Sequence, residues 1–390
     1  MSNKEYQGTR VLLLDGYGRQ IPSLLRQLHQ LGCIVTTVND SKLDVGYTSR
    51  YADKKIVAKG LREDKQLLKS IIDREIASNQ YDVIFPVIEG STDIVSQYVE
   101  DGSIGALKVL CAPRSAFLKA YDKQQTMTAC MKNGIPCPIT KMDDETMEEF
   151  LAKVSFPLAA KPRKGSGSAG FKKVHNREEL DKYIADGNIV VDEYVLQEFI
   201  PQDKYMCNCY VMMDDEHNPM YAVAIKTYRW YPIDGGAGCF ARTVDQPLVT
   251  ENAIKLFRTL GWSGFGQVSF MMDSRDNTPK VTEINGRISA GVRIVEYAGC
   301  TPVKYLLDRA YGKKMTPKKD KIKEGLGLRY FHTDIMWLLK SPNRFSAKPS
   351  WFDFRKSKDY IFSWGDPIPF FSYAIEHAMT YKKDMAKRKH

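Results

Sequence analysis

The sequence predicts an α/β unit built on a parallel sheet, followed by an α+β unit of mainly antiparallel strands. Two observations carry this. Up to Pro113, apolar runs alternate with helical stretches, whereas from about residue 119 strands rich in Val, Ile, Tyr and Phe predominate. A chain of 390 residues also exceeds what a single hydrophobic core supports, so two or three packed units are expected.

The first run, VLLLDGYG, ends in a Gly turn. Ile21, Leu24, Leu25, Leu28 and Leu31 follow at helical spacing until Gly32 closes the helix. CIVTTVND, YDVIFPVI (81–88) and LKVLCAP (107–113) read as further buried strands of a Rossmann-like sheet covered by helices. Gly16 and Gly18 match a dinucleotide fingerprint only in part, because Ile21 stands where a third Gly is needed; a tight strand-to-helix turn explains them equally well. AYDKQQTMTACMKNG then reads as a helix opening a new unit. Strands FPLAAKP, NIVVDEYVLQEFI, YMCNCYVMM, MYAVAIKTYRW, GQVSFMMD and PKVTEIN follow, with helices near 177–185 and 251–260.

Composition excludes several classes. Hydrophobic residues at 43% and charged residues at 27% describe an ordinary globular protein. No apolar run has the length of a signal peptide or membrane span, which points to a cytoplasmic chain. The eight cysteines form no CxxC pair and read as reduced, packed thiols; Cys207 and Cys209 share a strand face without further metal ligands. The net charge of +10 is uneven: from Lys313 onward there are 18 Lys and Arg against 8 Asp and Glu, and the remainder balances. A fold-wide surface for nucleic acid is therefore not expected.

Two segments carry chemistry. In FPLAAKPRKGSGSAGFKKV a strand ends at Lys161, and a loop with Lys164, Gly165, Ser166, Gly167, Ser168 and Gly170 precedes another strand. Small residues let backbone N–H groups converge on anionic oxygens and lysines add charge, as a polyphosphate requires. No Lys-Ser/Thr pair follows the last Gly, so this is not a Walker loop. In GFGQVSFMMDSRDNTPKVTEINGRISAG, Glu283 and Asn285 lie two apart on a strand and point together, giving hard oxygen ligands for Mg²⁺ bridging phosphates. Arg287 continues that face toward charge developing on a transferring phosphoryl group. No Ser-His-Asp, Cys-His or HExxH arrangement is readable.

In order and spacing these segments resemble the ATP-grasp superfamily, which includes D-alanine ligases, biotin carboxylase and the large subunit of carbamoyl phosphate synthase. The resemblance covers roughly residues 1–312. It implies ATP, with Mg²⁺ or Mn²⁺, and gives the phosphates to Lys123 and Lys161, and adenine to the backbone of Glu198, Phe199 and Ile200. It further implies Glu283 and Asn285 as metal ligands, with Lys226 and Arg287 as catalytic cations. Two positions depart from the pattern. Lys204 stands where an acidic residue holds the ribose, leaving Asp203 as substitute, and Ser269 stands at the upstream metal position, where Gln267 points the same way along the strand. The Gly-rich stretch KTYRWYPIDGGAGCFARTV resembles the acceptor-side loop of carboxylate-amine ligases; its Arg229 and Arg242, together with Arg293, suit substrate carboxylates.

The resemblance implies an N-terminal Rossmann-like domain (1–118), an ATP-grasp domain of two α+β subdomains (119–312) and a basic, aromatic-rich extension (313–390). The expected activity joins a small-molecule carboxylate to an amine through an acyl phosphate, releasing ADP and phosphate. A bicarbonate-using carboxylase or carbamoyl-phosphate type enzyme, and a non-catalytic nucleotide-binding protein, are the alternatives. A homodimer and peripheral contact of the extension with an anionic membrane, at its inner face, complete the expectations.

Overall fold

The computed structural model describes residues 4–165, 170–201, 205–233 and 237–387, the last eight by backbone alone. The chain opens with strands β1 (Arg10–Leu13), β2 (Ile34–Asn39), β3 (Lys54–Val57), β4 (Val83–Phe85) and β5 (Lys108–Val109). Helices α1 (Ile21–Leu31), α2 (Val45–Thr48), α3 (Lys65–Ala77) and α4 (Glu89–Glu100) alternate with them. All pairings are parallel in the order β3-β2-β1-β4-β5, as the continuous apolar runs require. Leu24, Leu25 and Leu28 bury one face of α1, and Gly32 closes it with φ 90°.

The sheet reverses direction of growth between β1 and β4, and in open parallel sheets ligands bind beyond the strand ends at that point. Here the two loops are tied together. Asp15, buried after β1, accepts hydrogen bonds from Val87 N and Ile88 N at 3.0 Å and from the Ser91 hydroxyl, all beyond β4. Gly16 is obligatory in this turn, since a Cβ there would lie 2.0 Å from Asn39 Oδ1.

The expected single helix around residue 119 is two, α5 (Arg114–Tyr121) and α6 (Lys123–Lys132). Asp122 breaks it, because its carboxylate caps Gln124 N at 2.9 Å and receives the Arg163 guanidinium. Then come α7 (Met147–Leu151), β6 (Leu158–Pro162), β7 (Lys172–Val174), α8 (Arg177–Ala185) and β8 (Tyr194–Glu198), a small antiparallel sheet ordered β7-β6-β8. Only the second half of the strand expected from 188 to 200 is extended; a 3-10 turn at Val191–Glu193 occupies the first.

The large sheet comprises β9 (Met206–Met213), β10 (Pro219–Tyr231), β11 (Ala237–Thr243), β12 (Gly264–Met272), β13 (Pro279–Asn285), β14 (Gly327–Arg329) and β15 (Ser357–Asp359). Its order is β13-β12-β9-β10-β11-β14-β15. The basic extension therefore contributes two strands of this sheet. The remaining helices are α9 (Pro247–Leu260), α10 (Val292–Tyr297), α11 (Pro302–Ala310), α12 (Phe331–Lys340) and α13 (Ile368–Lys387). One sheet face, with Cys207, Cys209, Val268, Phe270 and Ile284, packs with Met127, Cys130, Leu256 and Phe257 of α6 and α9. The other, with Tyr210, Met212, Val223 and Ile225, shares a core with Leu24 and Leu28 of α1 and Leu306 of α11. All eight cysteines are free thiols.

Candidate active site

Strand register assembles the polar face of the large sheet. Ser269 on β12 pairs with Glu283 on β13 and with Asn208 on β9, and Gln267 pairs with Asn285 and Tyr210. Residues directly opposite one another share a face, so Glu283, Asn285, Gln267, Ser269, Asn208 and Tyr210 all leave the sheet together. The Gln267 side-chain amide donates to Asn208 Oδ1 at 2.9 Å and Ser269 Oγ at 3.3 Å, which turns its carbonyl oxygen away from that pair. The side chains of Glu283 and Asn285 engage in no hydrogen bond or ion pair among the described residues, although both backbones are paired in the sheet. A free carboxylate beside a free amide fits a hard divalent cation that completes its shell with phosphate and water oxygens. No group of three or more His, Cys, Asp or Glu that could hold a metal occurs among the described residues.

Two lysines face this carboxylate. Lys161 is the penultimate residue of β6, and Lys123 begins α6, held by the Asp122–Arg163 pair beside it and by a hydrogen bond from its Nζ to Gly165 O at 2.7 Å. Burial lowers the pKa of both, opposed by the attraction of Glu283; Lys123 lowers that of Lys161 further. Two partly desolvated cations around one carboxylate are poised for a polyanion that restores their solvation. Gly165 and Gly170 stand at φ 107° and 73°, the conformation that favours glycine. Lys164 is exposed beside them. Ser166, Gly167 and Ser168 of the loop lie outside the described residues, as do Asp203 and Lys204.

The hinge expected to meet adenine runs along β8. The Glu198 side chain is committed to structure: it accepts from Ile139 N at 3.0 Å, from Arg275 at 2.6 Å and from Lys280 at 3.1 Å, tying the small sheet to the β12–β13 hairpin. Phe199 carries Lys173 over its ring at 4.3 Å, and Ile200 is buried.

Arg287 projects toward the N-terminal unit, where its Nε donates to Glu89 at 2.9 Å at the start of α4. Sequence reading missed Glu89, and also Arg19, from the loop after β1. Arg19 lies 4.6 Å over the Tyr330 ring and 5.7 Å over that of Tyr360, and forms no salt bridge among the described residues. Tyr210 feels both arginines: burial raises its pKa well above the usual phenol range, and the charges of Arg287 and Arg19 oppose that rise. Arg19, in the loop after β1, and Glu89, the first residue of α4 beyond β4, flank the sheet's switch point, a location that topology alone marks as ligand-facing. Asn208, also missed, sits between the two cysteines that drew attention to that strand.

Two groups of expectations change. Lys226 pairs with Cys207, one residue out of phase with Asn208, so it leaves the opposite face from Glu283 and lies 3.6 Å over the Tyr205 ring. The three substrate arginines are already engaged. Arg229 is buried, with Nε and Nη2 on Asp334 at 2.7 and 3.0 Å and Nη1 on Pro349 O at 3.1 Å, so three of its five N–H donors and its charge are taken up by the framework. Arg242 binds Asp353 at 2.8 Å; Arg293 binds Glu296 at 3.1 Å and lines a separate cleft of ≈ 340 Å³ with Arg26 and Lys358.

Comparison with known proteins agrees with the order of the three sheets. Residues 120–291 match the model of an ATP-grasp domain. D-alanine–D-alanine ligase A of Bacillus cereus is 26% identical over 206 residues, spanning 48% of this chain and 66% of that enzyme. The D-alanine–D-alanine ligase of Carboxydothermus hydrogenoformans is 27% identical over 253 residues, 58% of this chain and 78% of its own length. Among solved structures, biotin carboxylase from Campylobacter jejuni superposes with a TM-score of 0.67 at 18% identity, covering 81% of this chain and 74% of that one. An L-amino acid ligase from Bacillus licheniformis gives 0.62 at 17%, covering 82% and 80%. With an N-terminal parallel sheet, a small antiparallel sheet and a large mixed sheet in sequence, the chain carries a domain of the ATP-grasp superfamily.

Proposed function

We propose that this protein uses ATP to convert a carboxylate into an acyl phosphate and passes the acyl group to an amine, releasing ADP and phosphate. The observation that carries the reading is the convergence of Lys123 and Lys161 on Glu283 beside Asn285, with Arg287 two residues further along. Lys123, Lys161 and the Gly165–Gly170 loop would hold the polyphosphate. Mg²⁺ or Mn²⁺ held by Glu283 and Asn285 would supply charge neutralisation for the phosphates. The substrate carboxylate oxygen attacks the γ-phosphorus as the bond to the β-phosphate oxygen breaks and ADP departs. The amine nitrogen then attacks the acyl carbon, phosphate leaves, and the amine loses its proton. No protein nucleophile is needed; alignment and charge provide the rate.

Arg287, braced by Glu89, is positioned to meet the reacting carboxylate or the transferring phosphoryl group. Arg19, without a carboxylate partner of its own and walled by Tyr330 and Tyr360, is placed to grip a second carboxylate on the acid or on an amino-acid acceptor. Bicarbonate is the second reading for the activated carboxylate. A 2-oxoglutarate carboxylase domain from Hydrogenobacter thermophilus, solved with MgADP and bicarbonate, shares the fold at a TM-score of 0.67 over 82% of this chain. An ADP-release screen across amino acids, uronic acids and bicarbonate tests the proposal. Acid-dependent ADP formation supports it, dependence on bicarbonate alone selects the second reading, and absence of turnover across the panel with ATP bound refutes both.

A further inference from the structure

Helix α13 leaves an apolar stripe uncovered. Ile368, Phe371, Ile375 and Met379 recur at intervals of three and four, so they share one helix face, and they are 58%, 58%, 54% and 74% exposed. Other faces hold the helix to the protein: Ser372 Oγ lies 2.8 Å from Thr48 Oγ1, Tyr373 meets the Tyr330 hydroxyl at 3.0 Å, Phe370 packs on His332, and Glu376 pairs with Arg62. Just before the helix, Trp364 is 90% exposed.

A second group runs from the last turn of α12 to the start of β15. Leu339, Phe345, Phe352 and Phe354 are all exposed, with the rings of Phe345 and Phe352 stacked at 6.5 Å. Lys340, Arg344, Lys348, Arg355 and Lys356 are interleaved with them in sequence, against the single acid Asp353, which Arg242 and Arg355 already neutralise. Phe331 joins the two groups, touching Trp351 on one side and Phe370 on the other, both at 6.2 Å between ring centroids. The α13 backbone continues through 380–387, where the sequence TYKKDMAK adds three lysines and one aspartate.

So many large apolar side chains on one packed unit call for an occupant. A second copy of this chain would set the same cations against each other. Single-stranded nucleic acid would stack on the rings, but Ile368, Ile375, Met379 and Leu339 present no π-face to a base. An anionic bilayer satisfies both features, since its acyl boundary takes an apolar helix stripe with a tryptophan beside it and its headgroups take the interleaved cations. No described helix is long and apolar enough to cross a membrane, so contact would lie in the interface.

We propose that the exposed face of α13, with Trp364 and the aromatic-basic loop 339–356, is a docking surface for an anionic membrane. The inference is independent of the chemistry assigned to the ATP-grasp site.

The full chain would be sedimented with vesicles of phosphatidylcholine containing 30% phosphatidylglycerol, and with phosphatidylcholine alone. Preferential pelleting with the anionic vesicles is expected. Phe371→Glu/Ile375→Glu should lower partitioning by at least ~10-fold while ATP binding and the circular dichroism spectrum stay unchanged. A second readout does not depend on that variant. Brominated lipid should quench part of the tryptophan emission in the parent, and this part should vanish in Trp364→Phe, since the other four tryptophans are buried or half-buried. Absence of vesicle binding, or quenching unaltered by Trp364→Phe, overturns the proposal. So does a dimer in light scattering that Phe371→Glu/Ile375→Glu dissolves without any vesicle binding, or preferential binding to single-stranded RNA.

Discussion

Replacing Asp334 with Asn tests whether Arg229 belongs to the framework or to substrate. Asp334 is fully buried and accepts from Arg229 at 2.7 and 3.0 Å and from Arg329 at 2.7 Å, while its backbone carbonyl accepts the Trp351 indole at 3.0 Å. Both arginines are at most 3% exposed. The cluster thereby ties β10, β14 and α12 into one piece. Asn preserves the volume but leaves two buried guanidiniums without a counter-charge. Hydrogen bonds to charged groups contribute about 1.5–3 kcal/mol each, and breaking a buried pair from one side costs about 3–5 kcal/mol. With two cations orphaned, the upper part of that range is expected.

Arg229→Met should cost less, about 2 kcal/mol, because Asp334 keeps Arg329 and the methionine stem still packs on Phe240. Urea unfolding followed by tryptophan fluorescence reads this region directly, since Trp351 is bonded to Asp334 and Trp337 lies 5.2 Å from the Arg229 guanidinium. The midpoint should fall furthest for Asp334→Asn. A variant within 1 kcal/mol of the parent in this assay, or an Arg229→Met protein of parental stability that has lost turnover, would refute the structural assignment.

Other outcomes follow from the same structure. Glu283→Gln should lower turnover by at least ~100-fold, as loss of charge from the proposed metal site implies; metal-free ATP should bind as well as before or better, since Lys123 and Lys161 lose the Glu283 charge that attracts them. Arg19→Met should raise the KM for a carboxylate substrate by ~10-fold or more without altering ATP affinity, as loss of a charge-assisted contact implies. Gly291→Ala should destabilise by about 1–3 kcal/mol and reduce activity, because the new Cβ would fall 1.8 Å from the Tyr210 hydroxyl. Asp15, pushed up to about 6 chiefly by burial, binds its proton more tightly folded than unfolded. Its contribution to stability is therefore greatest below pH 4 and is lost as pH rises through 6, by up to ~3 kcal/mol. Asp15→Asn should remove that slope from a pH series of unfolding midpoints.

The first unit was legible because its signals are local: an apolar run, a helical period and Gly32 lie within one stretch of chain. The E-x-N-x-R run was legible for the same reason, since alternation on one strand places Glu283 and Asn285 on one face. Lys226 was misplaced because its face depends on register with β9, and a shift of one residue inverts it. Arg229 was misread because its partner Asp334 lies 105 residues away, and a Gly-rich stretch with arginines looks alike whether it is solvated or roofed over. The strands β14 and β15, three residues each, are too short for any period to register. Arg19 and Glu89 become visible only once strand order marks the sheet's switch point.

The acyl-phosphate step is tested most directly with a carboxylate substrate labelled with ¹⁸O, found by ADP-release screening and followed by mass spectrometry of the products. Attack of the carboxylate oxygen on the γ-phosphorus predicts ADP and inorganic phosphate carrying one ¹⁸O atom. AMP carrying the label together with pyrophosphate, or unlabelled phosphate from hydrolysis uncoupled to the acid, would contradict it.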